Sequence, residues 1–243
     1  MVKLSKTDSS IQAKVNNILD VYNSAKPKTV EEGYCWYPTA NHIAKGVGSL
    51  MADTWFTVYQ VSSQLSEGER DRLLTILGAG ILSAFSPQTD WDRNIQMAYQ
   101  FAVTAERPSF CTNIVYLKAM SILKSSTELV RRDGGEFIYT ASEQAKIVED
   151  LLGKATAFKT KAFFNNINDP LGGFGATIDR HAISLYLGRI ATEKELNSYF
   201  RSAKLYSDVQ EAFATASWYA DCHYNEMQAV TWLEWRKNKK DWV

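Results

Sequence analysis

A chain of 243 residues with 45% hydrophobic and 22% charged side chains is long enough for one large domain, or one domain folded as two lobes, and its composition excludes intrinsic disorder. Lys plus Arg and Asp plus Glu balance at 27 each, so no overall basic excess points to nucleic acid or a membrane surface, and any charged face must be local. The cysteines, Cys35, Cys111 and Cys222, are odd in number and far apart, which argues against both a disulfide framework and a CxxC metal site.

The opening residues, MVKLSKTDSS, lack the apolar core of a signal peptide, and no run reaches the length of a membrane span, so a reduced, cytoplasmic protein is the expectation. No internal repeat or low-complexity segment interrupts the chain.

Helical spacing dominates. Ile11, Val15, Ile18, Leu19 and Tyr22 form one face of an amphipathic helix that stops near Lys26-Pro27, because a residue before proline is pushed out of helical geometry. The aromatic cluster of Tyr34, Trp36 and Tyr37 leads into a helix capped by Thr39, and a mixed apolar stretch runs from Leu50 to Leu65. A helix spans Glu67 to Phe85. Thr89 followed by Asp92 marks the next helix start, which runs through Ala105; Pro108 breaks it, and Thr112 to Lys124 forms another. Between Ser125 and Tyr139 the pattern is weak, with a short extended piece expected at Glu136 to Thr140. Thr140 with Glu143, Thr192 with Glu195, and Ser207 with Gln210 mark three further helix starts, and a last helix begins around Asn225. With scarcely any alternating pattern, the chain reads as an all-α protein of roughly ten helices.

Leu151 to Gly188 carries the chemistry. On a helix through Lys154 to Ile167, Phe158, Ala162, Phe163 and Ile167 form an apolar stripe, with Lys154, Lys161 and Asn165 on its flank. Lys159 adds a third ammonium. Such lysines can grip a phosphate backbone, and they equally suit a solvated basic face. The turn DPLGGFGATID follows, with Gly172, Gly173 and Gly175; it matches neither a phosphate-binding loop nor a dinucleotide fingerprint. Asp179 then stands at the start of the helix RHAISLYLG. A carboxylate there can be a plain cap, attracted by the positive end of the helix dipole, or an anion facing the oxocarbenium-like sugar of glycosidic cleavage. Next to it, Arg180 adds positive charge, and His181 suits proton transfer, a phosphate contact or a core position.

The order of basic helix, turn and TIDRHAISLYLG resembles the helix-hairpin-helix DNA glycosylases, in which a hairpin grips the DNA backbone and a "VD" followed by a helix supplies the catalytic aspartate. Asp179 matches that aspartate. The resemblance is closer to phage and bacterial proteins related to the glutamyl/putrescinyl thymine pyrophosphorylases, glycosylase-like proteins associated with hypermodified DNA. It is carried by FSPQTDWDRNIQMA at 85–98, GKATAFKTKAFFNNI at 153–167, TIDRHA at 177–182 and EMQAVTWLEWR at 226–236, in that order. Two features depart from it. Only Gly153-Lys154 stands where the hairpin usually carries two glycines around a small apolar residue, and the four-cysteine iron-sulfur loop of some glycosylases is absent.

The resemblance implies a two-lobed helical glycosylase-like domain over 1–243, with a catalytic lobe at about 140–190 and a second lobe formed by the flanking helices. Lys154, Lys159, Lys161, Arg180 and His181 are its candidate DNA contacts, and a lyase lysine among the three lysines is not placed by the motif. Gln88, Trp91 and Asn94 would lie near the pocket, where an extruded base needs an aromatic face and amides for its edge; the same residues suit a helix cap and a buried Trp. Gln228 and Trp232 would wall the cleft or lock the last helix onto the core. His42 and His223 have no partners at metal-ligand spacing, so no zinc site and no cofactor are expected. The implied partner is double-stranded DNA carrying modified bases, with no membrane and no protein partner. The implied activity is excision of a modified pyrimidine, such as a glucosylated 5-hydroxymethyl base, in phage defence or conflict between phages. A thymine hypermodification enzyme and a non-catalytic DNA-binding or antidefence protein on the same fold are the alternatives.

Overall fold

The computed structural model describes residues 9–55, 66–87, 89–131, 141–153, 157–172 and 175–238. Its described elements are all helices and no strand occurs among them, so the fold is all-α. None of these helices is long and apolar enough to cross a membrane. The chain divides into two compact units, Thr39–Asp169, and Met1–Pro38 with Pro170–Val243. The stretch at 140–190 is thereby shared between them.

The continuous unit holds most of α3 (Trp36–Trp55), then α4 (Glu67–Phe85), α5 (Trp91–Thr104), α6 (Asn113–Arg131), α7 (Ala141–Leu152) and α8 (Phe158–Asn168). α4 is its centre. Leu73 to Phe85 is buried without interruption, because LLTILGAGILSAF carries no charge and offers no face to water. α5, α6, α7 and α8 all pack against it. α3 and α4 cross closely, in opposite directions: a Cβ on Gly48 would overlap the Leu74 carbonyl oxygen, and one on Gly78 would overlap that of Ala44. Asn41 on α3 donates to the carbonyls of Ile167 and Asn168, at 2.8 and 3.1 Å, and holds the end of α8.

The other unit contains α1 (Ser9–Ser24), α2 (Pro27–Tyr34), α9 (Arg180–Leu187), α10 (Glu193–Arg201), α11 (Ala203–Tyr219) and α12 (Tyr224–Asn238). α1 buries Val15 and Ile18 and packs on α9, α11 and α12, while α2 lies along α12. Pro27 opens α2, where its missing amide proton costs nothing.

Helix starts follow capping chemistry, though not always at the expected residue. The box of Thr192 and Glu195 is formed, as is one at Ser66 and Glu69. Three expected starts shift. Thr39 lies inside α3, which begins at Trp36. Asp90 caps α5, accepting from the Arg93 amide at 3.0 Å, and Thr89 instead donates to the Pro87 carbonyl. Ser207 lies inside α11, whose cap is Ser202. In each case a capping side chain serves only where the backbone before it leaves helical geometry, as Asp90 and Ser202 do in extended conformation. α6 continues to Arg131, beyond Lys124, and the lysine helix begins at Phe158. Thr140 and the extended piece expected at Glu136 to Thr140 lie outside the described residues.

The three cysteines are free. Burial pushes the Cys111 thiol up, and burial followed by the Glu226 carboxylate pushes Cys222 up to about 11, whereas Cys35 is exposed. At neutral pH iodoacetamide is therefore expected to alkylate Cys35 first, with Cys111 and Cys222 labelled only after denaturation. Peptide mass mapping checks this; equal labelling of Cys222 in the folded protein would contradict the packing around it.

Candidate active site

The glycine-rich turn ends at Gly175, whose φ of 91° is a conformation L side chains rarely adopt. The chain then runs outside any helix to Asp179, itself in extended conformation, with Ala176, Thr177 and Ile178 buried. The Tyr37 hydroxyl oxygen lies 2.9 Å from both Thr177 Oγ1 and Gln228 Oε1. A phenol has one proton to give. An amide oxygen can only accept, so Tyr37 donates to Gln228 and accepts from the Thr177 hydroxyl.

Asp179 is the N-cap of α9. Its Oδ1 accepts from the amides of His181 and Ala182 at 2.9 and 2.8 Å, while Oδ2 accepts no hydrogen bond among the described residues. The carboxylate is half-buried. Its charge reaches inward too: burial, and to a lesser degree the Asp179 carboxylate, push the Tyr206 phenol above its usual range. One oxygen is thus fixed by the helix.

The remaining expected residues occupy distinct settings. Arg180 is exposed, 3.7 Å from Glu193 across an open surface where a pair adds little, and His181 is half-buried. Gln228 is 8% exposed and committed to Tyr37, so it supports the Asp179 segment from beneath. Trp232 meets Trp36 edge-on at 6.2 Å and carries the Arg236 guanidinium 4.5 Å above its ring. These residues share the unit of Asp179.

Lys159, Lys161, Trp91 and Asn94 belong to the continuous unit. Lys161 has a side chain only 19% exposed and points to Asp150 at 3.7 Å, and Lys159 is half-buried. Trp91 meets Phe163 edge-on at 6.1 Å. Asn94 is 2% exposed and donates to the Leu82 carbonyl at 3.0 Å, so its amide ties α5 to α4. Gln88 and Lys154 lie outside the described residues. Between α7 and α8 the connection opens on Gly153 at φ 153°, and Lys118 Nζ donates to the Leu152 carbonyl at 2.7 Å, closing the end of α7.

Two features of the structure have no counterpart in the sequence reading. Tyr206 and Gln210 bond the backbone beside Asp179, although Gln210 stood out only as half of a capping pattern. Phe110 is 85% exposed at a φ of 69°, with the Arg93 guanidinium 5.2 Å from its ring and Ile114 and Leu117 exposed on the following helix. No spacing rule singles out an aromatic at a turn; only exposure does. Among the described residues no group of three His, Cys, Asp or Glu side chains could hold a metal ion.

A carboxylate anchored through one oxygen, at the end of a buried segment, is suited to face a positive charge that develops on a bound molecule. The model of a family of unknown function, DUF7178, matches the chain over residues 1–70 and 51–239, and the chain belongs to that family. No curated protein and no solved structure matches it.

Proposed function

We propose that this member of DUF7178 is a DNA glycosylase that excises a modified pyrimidine, with Asp179 as the anion that stabilises the oxocarbenium-like sugar and positions the attacking water. The anchoring of Asp179 carries the reading: two helix amides hold Oδ1, so the carboxylate needs no reorganisation when charge appears in front of Oδ2. The all-helical fold and the short connection from α7 to α8 through Gly153 support it. The resemblance to proteins associated with hypermodified DNA suggests the substrate, a bulky 5-substituted pyrimidine such as a glucosylated hydroxymethyl base.

Incubation with duplex DNA carrying unmodified, hydroxymethylated or glucosylated pyrimidines, followed by alkali, tests the reading. Free base together with alkali-labile sites is expected on modified DNA. A covalently enlarged base without strand weakness would identify a transferase instead, and no change on any of the three DNAs would leave a non-catalytic DNA-binding protein.

An exposed aromatic at a turn is also what a protein that extrudes bases from a duplex can insert between base steps. Phe110→Ala is therefore expected to lower excision from duplex DNA by about tenfold, as loss of roughly 1–3 kcal/mol of stacking predicts, and to leave excision from single strands unchanged. Equal losses on both substrates would remove Phe110 from this role.

A further inference from the structure

The segment from Gly175 to Asp179 lies outside any helix, no strand occurs among the described residues to pair with it, and Ala176, Thr177 and Ile178 are buried in succession. Buried backbone outside helices and sheets finds its partners among side chains, other backbone or water. α11 provides two of them. Gln210 Nε2 donates to the Ala176 carbonyl at 3.2 Å, and the Ile178 amide donates to the Tyr206 hydroxyl oxygen at 3.2 Å.

The spacings match. Tyr206 and Gln210 are one helical turn apart, a rise of about 6 Å over four residues. Ala176 and Ile178 are two residues apart, a span of at most about 7 Å. Since Tyr206 meets the later residue and Gln210 the earlier, α11 runs antiparallel to the segment and offers it two rungs, much as a neighbouring strand would. The glycine at 175 fits the lower rung: a Cβ there would come within 3.0 Å of Gln210 Nε2. Immediately after the upper rung comes Asp179, so the backbone that sets its carboxylate is held one residue away.

We infer that the Tyr206 and Gln210 rungs of α11 position the Asp179 carboxylate, acting in the excision reaction proposed above, on which the catalytic half of this inference rests. Both bond the backbone of the segment. They govern Asp179 through the chain, not through contact with DNA, and so belong to the rate of the chemical step and not to DNA affinity.

The test uses Tyr206→Phe, which deletes one hydroxyl, and Gln210→Glu, which keeps the shape and turns a donor against the Ala176 carbonyl into an acceptor. Each is made in the full chain, alone and together with Asp179→Asn. Single-turnover excision is expected to fall about 10- to 100-fold, the scale of a carboxylate displaced by about 1 Å, with duplex affinity changed less than about twofold. Combined with Asp179→Asn, neither variant should slow excision further, since the group they position is already neutral. Further slowing in the double variants, or a loss confined to affinity, would overturn the inference.

A second readout needs no activity. Amide hydrogen exchange in the wild type should show protection at Ile178, His181 and Ala182; either rung variant should lose it at His181 and Ala182, whose amides Asp179 caps. Unchanged protection at both amides in whichever variant folds overturns the positioning role. If the wild type excises nothing from modified DNA, the glycosylase reading fails and the exchange result alone decides whether the rungs set Asp179.

Discussion

Asp179→Asn is expected to reduce abasic-site formation on modified duplex DNA by about 100- to 1,000-fold, the range seen when one preorganised electrostatic group is removed from a site, while the folded protein persists. The separation of the two effects follows from the geometry. Oδ1 accepts from the His181 and Ala182 amides, and an asparagine oxygen can accept both, since Asn and Asp rank together as helix caps. What disappears is the negative charge at Oδ2. The lost attraction to the helix dipole costs about 0.3–1 kcal/mol, which for a chain of this size lowers Tm by no more than about 4 °C. Asp179→Ala, by contrast, removes the cap as well, at about 1 kcal/mol more. Excision assays beside thermal melts of the same preparations separate charge from cap. Full activity in the Asn variant would end the catalytic assignment of Asp179, and a collapse in Tm would mean that the residue is needed chiefly to hold α9.

Gly78→Ala is expected to be the most destabilising single-methyl change in the continuous unit. A Cβ at Gly78 would overlap the Ala44 carbonyl oxygen, which is backbone and cannot rotate aside. α3 and α4 would have to separate, disturbing the helix that all its neighbours pack against. Such overpacking costs about 3 kcal/mol, more than the roughly 1 kcal/mol that alanine contributes over glycine inside a helix. At roughly 2–4 °C per kcal/mol, the net loss of about 2 kcal/mol lowers Tm by about 4–8 °C. Gly68→Ala in the first turn of the same helix is the control: nothing lies within 4 Å of a Cβ there, so a gain of about 0.5 kcal/mol is expected. Melting curves of the pair decide the matter. A Gly78→Ala protein as stable as wild type would mean that α3 and α4 do not cross as closely as described.

The sequence carried local information faithfully. The amphipathic face of α1, the limits of α4 and the Thr192 box are each set by residues within a few positions of one another, and the structure has them where the pattern places them. It misled where a local pattern occurs twice. S-x-x-Q at Ser207 looks like a helix start, but the backbone has already turned helical at Ala203 behind Ser202. Thr89 lost its role to Asp90 by one residue.

The candidate site divides along the same line. A carboxylate directly before RHAISLYLG is a candidate helix cap on sequence grounds, beside the catalytic reading, and the cap is formed. The support beneath it could not be read that way, because it joins residues 37, 177 and 228, and residues 176 and 178 with 210 and 206. Hydrogen bonds between positions so far apart depend on how helices pack, and nothing in local composition specifies them. Asn94 and Gln228 make the same point from the other side: each has the polar amide that base recognition calls for, and each is drawn into the interior by a partner that only the packed chain brings near. The sequence by itself determined the all-helical class and the place of Asp179 at a helix start, since both follow from short-range periodicity and capping. Only the tertiary structure decided which oxygen of Asp179 is spent, which amides are buried and what holds the segment before it, because these depend on burial and on contacts across the chain.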